Sequence, residues 1–395
     1  MKTRYLVTGG AGFIGANFVK HILSAHPGQV EVLILDALTY AGNLMTIEDE
    51  LKRDDVRFVK GDIGDKDLVD KIIAEFDPDF VVNFAAESHV DRSITNPRLF
   101  LETNILGTHT MLDACRRAWR NEDGSWKPGK KFLQISTDEV YGSLTKDFDE
   151  AEPLKLDEDL AAVVKDRKNL KTFGREFFTE ETPLAPKSPY SASKTSADMM
   201  VLAYSHTYGL PVNITRCSNN YGPYHFPEKL IPLTINNILQ GRSIPVYGKG
   251  ANVRDWLYVT DHARAIDLVL RQGKVGEVYN IGGFNEESNL EIVKTIIATI
   301  RRLVEENDKY RALCHIPVEN INDDLITYVT DRPGHDMRYA INPRKIATQL
   351  GWYPLTPFVE GIEKTVRWYL DNPDWTDAVT SGEYMKYYNK MYENR

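Results

Sequence analysis

Along the first half of the chain, short apolar runs alternate with stretches whose apolar residues recur at helical spacing. Arg4–Thr8 is such a run, closed by Gly9-Gly10-Ala11-Gly12; Phe13–Ser24 follows with Phe13, Ile14, Phe18, Val19, Ile22 and Leu23 at helical intervals. Val30–Leu35 reads as a strand ending in Asp36, and Val56–Lys60 as another ending in Gly61-Asp62. Asp65–Phe76 reads as a helix and Phe80–Phe84 as a strand ending in Ala85-Ala86. Leu99–Arg120 reads as one long amphipathic helix, and Phe132–Ser136 as the next strand. Strands separated by helices predict βαβ units. Right-handed crossovers turn these into a doubly wound parallel sheet of the α/β class, with ligands at the carboxyl ends of its strands.

The pattern breaks at residue 143. Residues 143–182 carry dense charge of both signs, as in Asp157-Glu158-Asp159 and Lys165-Asp166-Arg167-Lys168, and little aliphatic periodicity. They predict a surface insertion with one short helix near Leu156–Val164. Ser191–Tyr208 resumes as helix and Val212–Cys217 as strand. Beyond residue 218 polar stretches interrupt the pattern, although Asn289–Asn307 is a clear helix. The expected division is a first domain over 1–217 and a smaller α/β lobe over 218–395, with segments near 255–280 returning to the first.

Composition narrows this picture. A chain of 395 residues is too long for one core, and 42% hydrophobic residues suffice to build a large one. A net charge of -9 argues against a nucleic-acid polymer as partner but leaves room for a small anion held by a few local cations. Cys115, Cys217 and Cys314 form no C-x-x-C and no disulfide framework, which points to a reducing compartment. The N-terminus enters a strand almost at once, and no run approaches the ~18 apolar residues of a membrane helix. A soluble cytoplasmic protein without a membrane partner is expected. The histidines show no metal-ligand spacing, and neither H-E-x-x-H nor G-x-S-x-G occurs. No metal is expected, and serine-nucleophile chemistry has no support.

Gly9, Gly12 and Gly15 form G-x-x-G-x-x-G between a strand and a helix. Glycine permits the tight turn and lets a pyrophosphate approach the backbone and the helix N-terminus. Asp36 ends the next strand, where a carboxylate accepts from both ribose hydroxyls and repels a 2′-phosphate. The cofactor expected is therefore NAD rather than NADP. Asp62-Ile63, after the third strand, either contacts the adenine or is a simple loop.

Tyr190 and Lys194 in "PYSASK" are four apart at a helix start and share a face; Tyr190 is the only tyrosine so followed by lysine. An ammonium beside a phenol is expected to lower its pKa from ~10 towards neutrality, giving a base for a sugar hydroxyl. Thr137 at the strand end can donate to the same oxygen. Directly after it, Asp138 and Glu139 in "ISTDEVYG" place two like charges beside a buried strand. Successive strand residues face opposite sides, so both reach one ligand only if the chain has left strand geometry by Asp138. Mutual repulsion and desolvation both favour a protonated carboxyl in such a pair, and the two would titrate jointly.

The stretches GGAGFIG, NFAAESHVDRS, ISTDEVYG, PYSASK, CSNNYGPYHFPEKLIP, VRDWLYVTDH and DRPGHDMRYAI together resemble the extended short-chain dehydrogenase/reductase superfamily over nearly the whole chain. Within it they resemble the sugar-nucleotide 4,6-dehydratases. The longer, more charged residues 143–182 depart from that pattern. The resemblance implies a doubly wound parallel (Rossmann) sheet with a smaller C-terminal α/β substrate-binding lobe. It implies C4 oxidation of a hexose, loss of water across C5–C6 and return of hydride to C6, with Asp138 as acid and Glu139 as base. Thymidine as the nucleoside follows from overall similarity; uridine stays open. NAD contacts carried over by motif are Gly9, Gly12, Phe13, Ile14, Gly15, Asp36, Thr39, Asp62, Ile63, Ala85, Ala86, Thr103, Tyr190, Lys194 and Asn220. Substrate contacts so carried over are Ser88, Thr137, Asn219, Lys229, Leu230, Pro245, Tyr247, Arg254, Asn289, Arg332, His335 and Tyr384, with Lys229, Arg254 and Arg332 as pyrophosphate cations. Arg254-Asp255 as a structural ion pair and Asn219-Asn220 as a turn are the plainer alternatives. A homodimer is expected, paired through the long helix and the Tyr190 helix with Ala192, Met199, Leu202 and Ala203 at the seam. An epimerase or decarboxylase of the superfamily would have no evident use for the Asp-Glu pair.

Overall fold

The computed structural model describes residues 2–331 and 335–380. Its central sheet has seven parallel strands in the order Val278–Ile281, Val212–Cys217, Lys131–Thr137, Phe80–Asn83, Thr3–Thr8, Val30–Asp36 and Val56–Lys60. The chain winds outward from Thr3–Thr8 in one direction, then returns to wind outward in the other. The strand order reverses between Thr3–Thr8 and Phe80–Asn83, and a crevice opens there at the carboxyl ends.

The strands are apolar almost throughout because both faces are covered. Tyr5 and Val7 face one layer, with Phe18, Val19 and Ile22 of the helix Phe13–Ala25 and Ile266 and Val269 of the helix Val259–Gln272. Leu6 faces the other, with Val69 of Lys66–Phe76, Met111 and Leu112 of Thr108–Trp119, and Val201 of Pro189–Tyr208. Phe18 is fully buried, and its loss to alanine would cost about 3–5 kcal/mol.

After Cys217 the chain leaves the sheet. The strand Asn219–Tyr221 pairs with Val253–Tyr258, which pairs with Glu286–Ser288. The helices Leu230–Leu239, Asn289–Glu306 and Phe358–Asp371 close over a second core that includes Tyr221, Ile235, Ile292, Ile296, Ile362 and Val366. Between these elements, Val259–Gln272 packs against Phe13–Ala25, and Val278–Ile281 completes the sheet edge.

Two elements differ from the sequence reading. The stretch expected as one helix over Leu99–Arg120 is a short turn, Pro97–Phe100, then wide π-helical turns over Leu101–Gly107, then an α-helix over Thr108–Trp119. Asn104, within the wide turns, exchanges hydrogen bonds with the Glu87 backbone (2.9 and 3.0 Å) and donates to Ser193 (2.8 Å). Residues 143–182 are less superficial than their charge suggests. They hold a hairpin of Glu152–Pro153 with Lys171–Thr172 and a helix over Glu158–Val163. Leu160, Val164 and Leu170 bury against Phe284 and Ala347. The Arg167 guanidinium is buried and donates to Asn285 (2.8 Å) and to the carbonyls of Pro354 and Thr356 (both 3.3 Å). Arg338, fully buried, grips Glu286 with two bonds (2.8 and 2.9 Å) and reaches back to Thr172 and the Glu176 carbonyl.

No described helix is long and apolar enough to cross a membrane. Among the described residues no group of His, Cys, Asp and Glu is arranged to hold a metal.

Candidate active site

The glycine loop floors one end of a cleft at the switch point. Gly9 has φ +65°, and a Cβ there would stand 2.8 Å from the Ala85 nitrogen; one on Gly15 would stand 2.3 Å from the Gly9 carbonyl oxygen. A Cβ on Gly12 would meet only the Gly9 carbonyl, at 3.3 Å. Bare backbone therefore faces the cleft at Gly12. The helix Phe13–Ala25 begins there without a side-chain cap, leaving its first N–H groups for an anion. Asp36 is buried and lines the cleft. Its Oδ2 accepts from Ala11 N (2.9 Å) and its Oδ1 from Leu38 N (2.8 Å). Burial pushes its pKa up, and those two backbone donors oppose the rise. An open backbone cradle, a free helix N-terminus and a fixed carboxylate at the next strand end fit the pyrophosphate and a ribose of NAD.

At the middle of the cleft the strand Lys131–Thr137 stops. Asp138–Tyr141 is a 3₁₀ turn with Thr137 at its N-cap, where the Thr137 hydroxyl accepts from Glu139 N (3.3 Å) and donates to Asp138 Oδ1 (3.2 Å). The tight turn ends the alternation of strand faces, so Asp138 and Glu139 both line the cleft. Asp138 is 1% exposed, and its Oδ2 has no hydrogen-bond partner among the described residues. Burial first, then Glu139 and Asp255, hold its carboxyl well above the usual range; Arg254 and Thr137 act the other way.

Opposite, the helix Pro189–Tyr208 starts with proline at its first position and a capping box. Ser188 Oγ accepts from Ser191 N and Ser191 Oγ from Ser188 N, both at 3.0 Å. This start presents Tyr190 and Lys194 to the cleft. Both are buried, and Lys194 Nζ donates to the Ile135 carbonyl (2.7 Å). The expectation that the lysine would draw the phenol towards neutrality is not met by the protein alone. Burial, then Glu139, Cys217 and Asp138, push the Tyr190 phenol well up, with a hydrogen bond to Thr137 opposing. Burial leads, and the acidic groups that add to it come from the opposing turn and from Cys217, while the lysine is turned to a backbone carbonyl.

The same cleft is lined by Gly9, Gly12, Phe13, Ile14, Gly15, Thr39, Asp62, Ile63, Ala85, Ala86, Ser88, Thr103, Asn219, Asn220 and Lys229. Phe13 stacks on His225 with centroids 4.3 Å apart. Lys229 Nζ donates to the Ser88 carbonyl (3.0 Å), and Asn220 Oδ1 pairs with His262 Nδ1 (2.8 Å).

Other expected contacts stand apart from this lining. Leu230 and Asn289 are the first residues of their helices. Pro245 and Tyr247 lie on a strand paired with Ile326–Val329, and Tyr247 meets the His335 ring edge-on at 6.2 Å while His335 pairs with Asp331 (2.6 Å). Arg254 is buried over the Tyr339 ring (4.1 Å) and donates to the carbonyls of Val253 (2.7 Å) and Asp336 (2.9 Å). Asp255 instead accepts from Gly283 N and Asn285 N (2.7 and 2.8 Å). Arg332 and Tyr384 lie outside the described residues. Glu87, Cys217, Glu228 and Trp256 also line the cleft, as does His225, and were not singled out from sequence. Glu87 and Glu228 stand next to Ser88 and Lys229, and His225 is itself polar, in the stretches AAESH and HFPEK, which was the available signal.

An open backbone cradle, a fixed carboxylate at the next strand end and a buried Tyr–Lys pair in one cleft are the features of an NAD-dependent enzyme of the dehydrogenase type. The family model described as NAD dependent epimerase/dehydratase matches residues 5–282, and the chain belongs to that family. It is 48% identical over 394 residues to dTDP-glucose 4,6-dehydratase 1 of Escherichia coli (strain K12), covering 99% of both chains. Its fold is similar to the crystal structure of dTDP-glucose 4,6-dehydratase from Bacillus anthracis str. Ames in complex with NAD (44% identity, TM-score 0.76, 95% of this chain and 99% of that one). It is likewise similar to the dTDP-glucose 4,6-dehydratase of Streptomyces venezuelae, solved with NAD and dTDP bound (40% identity, TM-score 0.78, 95% and 100%).

Proposed function

We infer that this chain is an NAD-dependent hydro-lyase that converts dTDP-glucose to dTDP-4-dehydro-6-deoxy-glucose and water, an entry step to deoxysugar nucleotides. The observation that carries this reading is the Asp138–Glu139 turn in the same cleft as Thr137, Tyr190 and Lys194. Oxidation at one carbon needs only the last three; elimination needs one more acid and one more base. NAD, when bound, supplies the hydride acceptor for C4 and the donor for C6. Asp36 and the Gly9–Gly15 loop hold and orient it. Tyr190 takes the C4 hydroxyl proton, with Thr137 donating to the same oxygen and Lys194 as the cation that opposes the neighbouring carboxylates. The C4 ketone acidifies C5–H, which Glu139 removes while Asp138, kept protonated by burial, gives its proton to the departing 6-hydroxyl. Glu139 then returns a proton to C5.

We further assign the cofactor to residues 1–217 and the sugar nucleotide mainly to 218–395. Ser88, Asn219 and Lys229 lie at the cleft end of that path; Leu230, Pro245, Tyr247, Arg254, Asn289, Arg332, His335 and Tyr384 are assigned beyond it. A homodimer is the assembly proposed. Ala192, Met199 and Ala203 are exposed on the Tyr190 helix, beside exposed Leu101 and Leu106, and such an apolar patch suits an isologous seam. Light scattering that returns the mass of one 45.0 kDa chain at micromolar concentration would remove the dimer from the reading. The unpaired Cys115, Cys217 and Cys314 suit a cytoplasmic location.

The test is turnover of dTDP-glucose and UDP-glucose deuterated at C4, followed by the alkali-sensitive absorbance of the 4-keto product and by the position of the label. Label at C6 with dTDP-glucose preferred is expected. Preference for UDP-glucose would replace thymidine by uridine; label lost to bulk cofactor, or no keto product from either, would overturn the assignment.

A further inference from the structure

Beneath the cleft lies a buried polar chain that the chemistry above does not use. Asp198 is fully buried, one helical turn after Lys194 and so on the same face. Its Oδ2 accepts from Ser136 Oγ (3.0 Å) and from Arg216 Nε (2.9 Å). Its Oδ1 is buried with no hydrogen-bond partner among the described residues. Arg216 is held away on its other side, where Nη1 donates to the Tyr141 hydroxyl (3.0 Å), which donates to Asn280 Oδ1 (2.7 Å). Lys194 Nζ is bonded to Ile135, the neighbour of the Ser136 that Asp198 holds.

We propose that Asp198 is a positioning residue for Lys194: its buried carboxylate, one helical turn away and bonded through Ser136 to the strand that holds the lysine, keeps that lysine charged behind Tyr190. This rests on the reading that Lys194 serves Tyr190 in C4 oxidation. Burial alone favours the neutral amine and lowers the Lys194 pKa, and Asp198 is the first group that opposes it, ahead of Cys217. Among the described residues the surroundings offer no substitute. From its own helix Lys194 faces Tyr190 and Asp198. The strand Lys131–Thr137 brings the Ile135 carbonyl and the Ser136 and Thr137 hydroxyls. The strand Val212–Cys217 brings Arg216, spent on Asp198 and Tyr141, and Cys217, whose thiol burial pushes up to about 12 and so keeps neutral. The turn brings Asp138, kept protonated by burial, and Glu139, whose charge acts on Tyr190. The wide turns bring Asn104 through Ser193.

The experiment titrates Lys194 directly, by NMR of the NAD-bound enzyme labelled at lysine Cε, alongside the pH profile of C4 oxidation in a single turnover. In Asp198→Asn the Lys194 midpoint should fall by about one pH unit or more, and the basic limb of the oxidation profile should move down with it. Should the unpaired Arg216 prevent folding, Asp198→Asn/Arg216→Gln removes both charges and should show the same fall. Arg216→Gln alone, which leaves Asp198 without its guanidinium, should not lower the midpoint, and Tyr141→Phe should leave it in place. An unmoved midpoint in a folded Asp198 variant, or an equal fall in Arg216→Gln, overturns the proposal. Tyr190→Phe separates this from the underlying reading: if it oxidises C4 at the normal rate the reading of the site fails, whatever Lys194 does.

Discussion

Asp138→Asn exchanges a buried carboxylic acid for an amide of the same shape. In the wild type, Oδ1 accepts from Thr137, and Oδ2 is buried with no hydrogen-bond partner among the described residues. The amide keeps the acceptor and trades an unsatisfied oxygen for an unsatisfied donor, two defects of about 1–3 kcal/mol each that largely offset. The fold should survive. Because burial and the neighbouring carboxylates raise the pKa of Asp138 above its unfolded value, its stabilising effect is full below the unfolded pKa. It is lost as the pH rises through the folded one. Asn has no such loss, so the melting temperature of the variant should gain on that of the wild type as pH increases. Chemistry should respond in the opposite sense. Removing one general acid costs ~10²–10⁴ in rate, or about 3–5 kcal/mol of barrier. Stopped-flow absorbance of the reduced cofactor, exchange of C5–H into deuterated water, and appearance of the 4-keto-6-deoxy product resolve the steps. The variant should reduce the cofactor and exchange C5–H, yet lose water slowly. Dehydration within threefold of wild type, or no reduced cofactor despite bound substrate, would refute the role given to Asp138.

Glu139→Gln should also accumulate reduced cofactor but barely exchange C5–H, with overall turnover down by ~10²–10⁴; rapid exchange would contradict it. Gly15→Ala drives a methyl to 2.3 Å from the Gly9 carbonyl and should weaken NAD binding more than about tenfold by calorimetry; unchanged affinity would mean the loop yields. Arg338→Met leaves Glu286 buried without its cation and should destabilise by about 3–5 kcal/mol in urea denaturation, exposing residues 143–182 to protease. Arg338→Met/Glu286→Leu should recover most of that loss, and a single variant as stable as wild type would be inconsistent with the anchoring described.

The features legible in advance were those that depend on a few successive residues. The glycine loop, its strand and helix, and Asp36 lie within one βαβ unit, so spacing alone orders them. Tyr190 and Lys194 share a face because a helix repeats every 3.6 residues. The features that were not legible join residues distant in the chain. The wide turns at Leu101–Gly107 accompany Asn104 bonded to Glu87 and Ser193. The burial of Arg167 depends on Asn285 and the carbonyls near residue 355. Glu87 and Glu228 enter one cleft only because the fold brings the segment after Phe80–Asn83 against the segment before Leu230–Leu239.

The two carboxylates divide along the same line. Their identity and adjacency, the cofactor's acid at Asp36 and the tyrosine–lysine pair are properties of the sequence itself, since each is a local pattern of residue types. Whether Asp138 and Glu139 share a ligand rested on a 3₁₀ turn starting at the last strand residue. Which way the Tyr190 phenol shifts rested on how deeply packing buries it and, after that, on which charges it brings against it. Coulomb energy and desolvation depend on distance and burial, and between Ser136, Asp198 and Arg216, as between Tyr190 and Glu139, only the folded chain sets them.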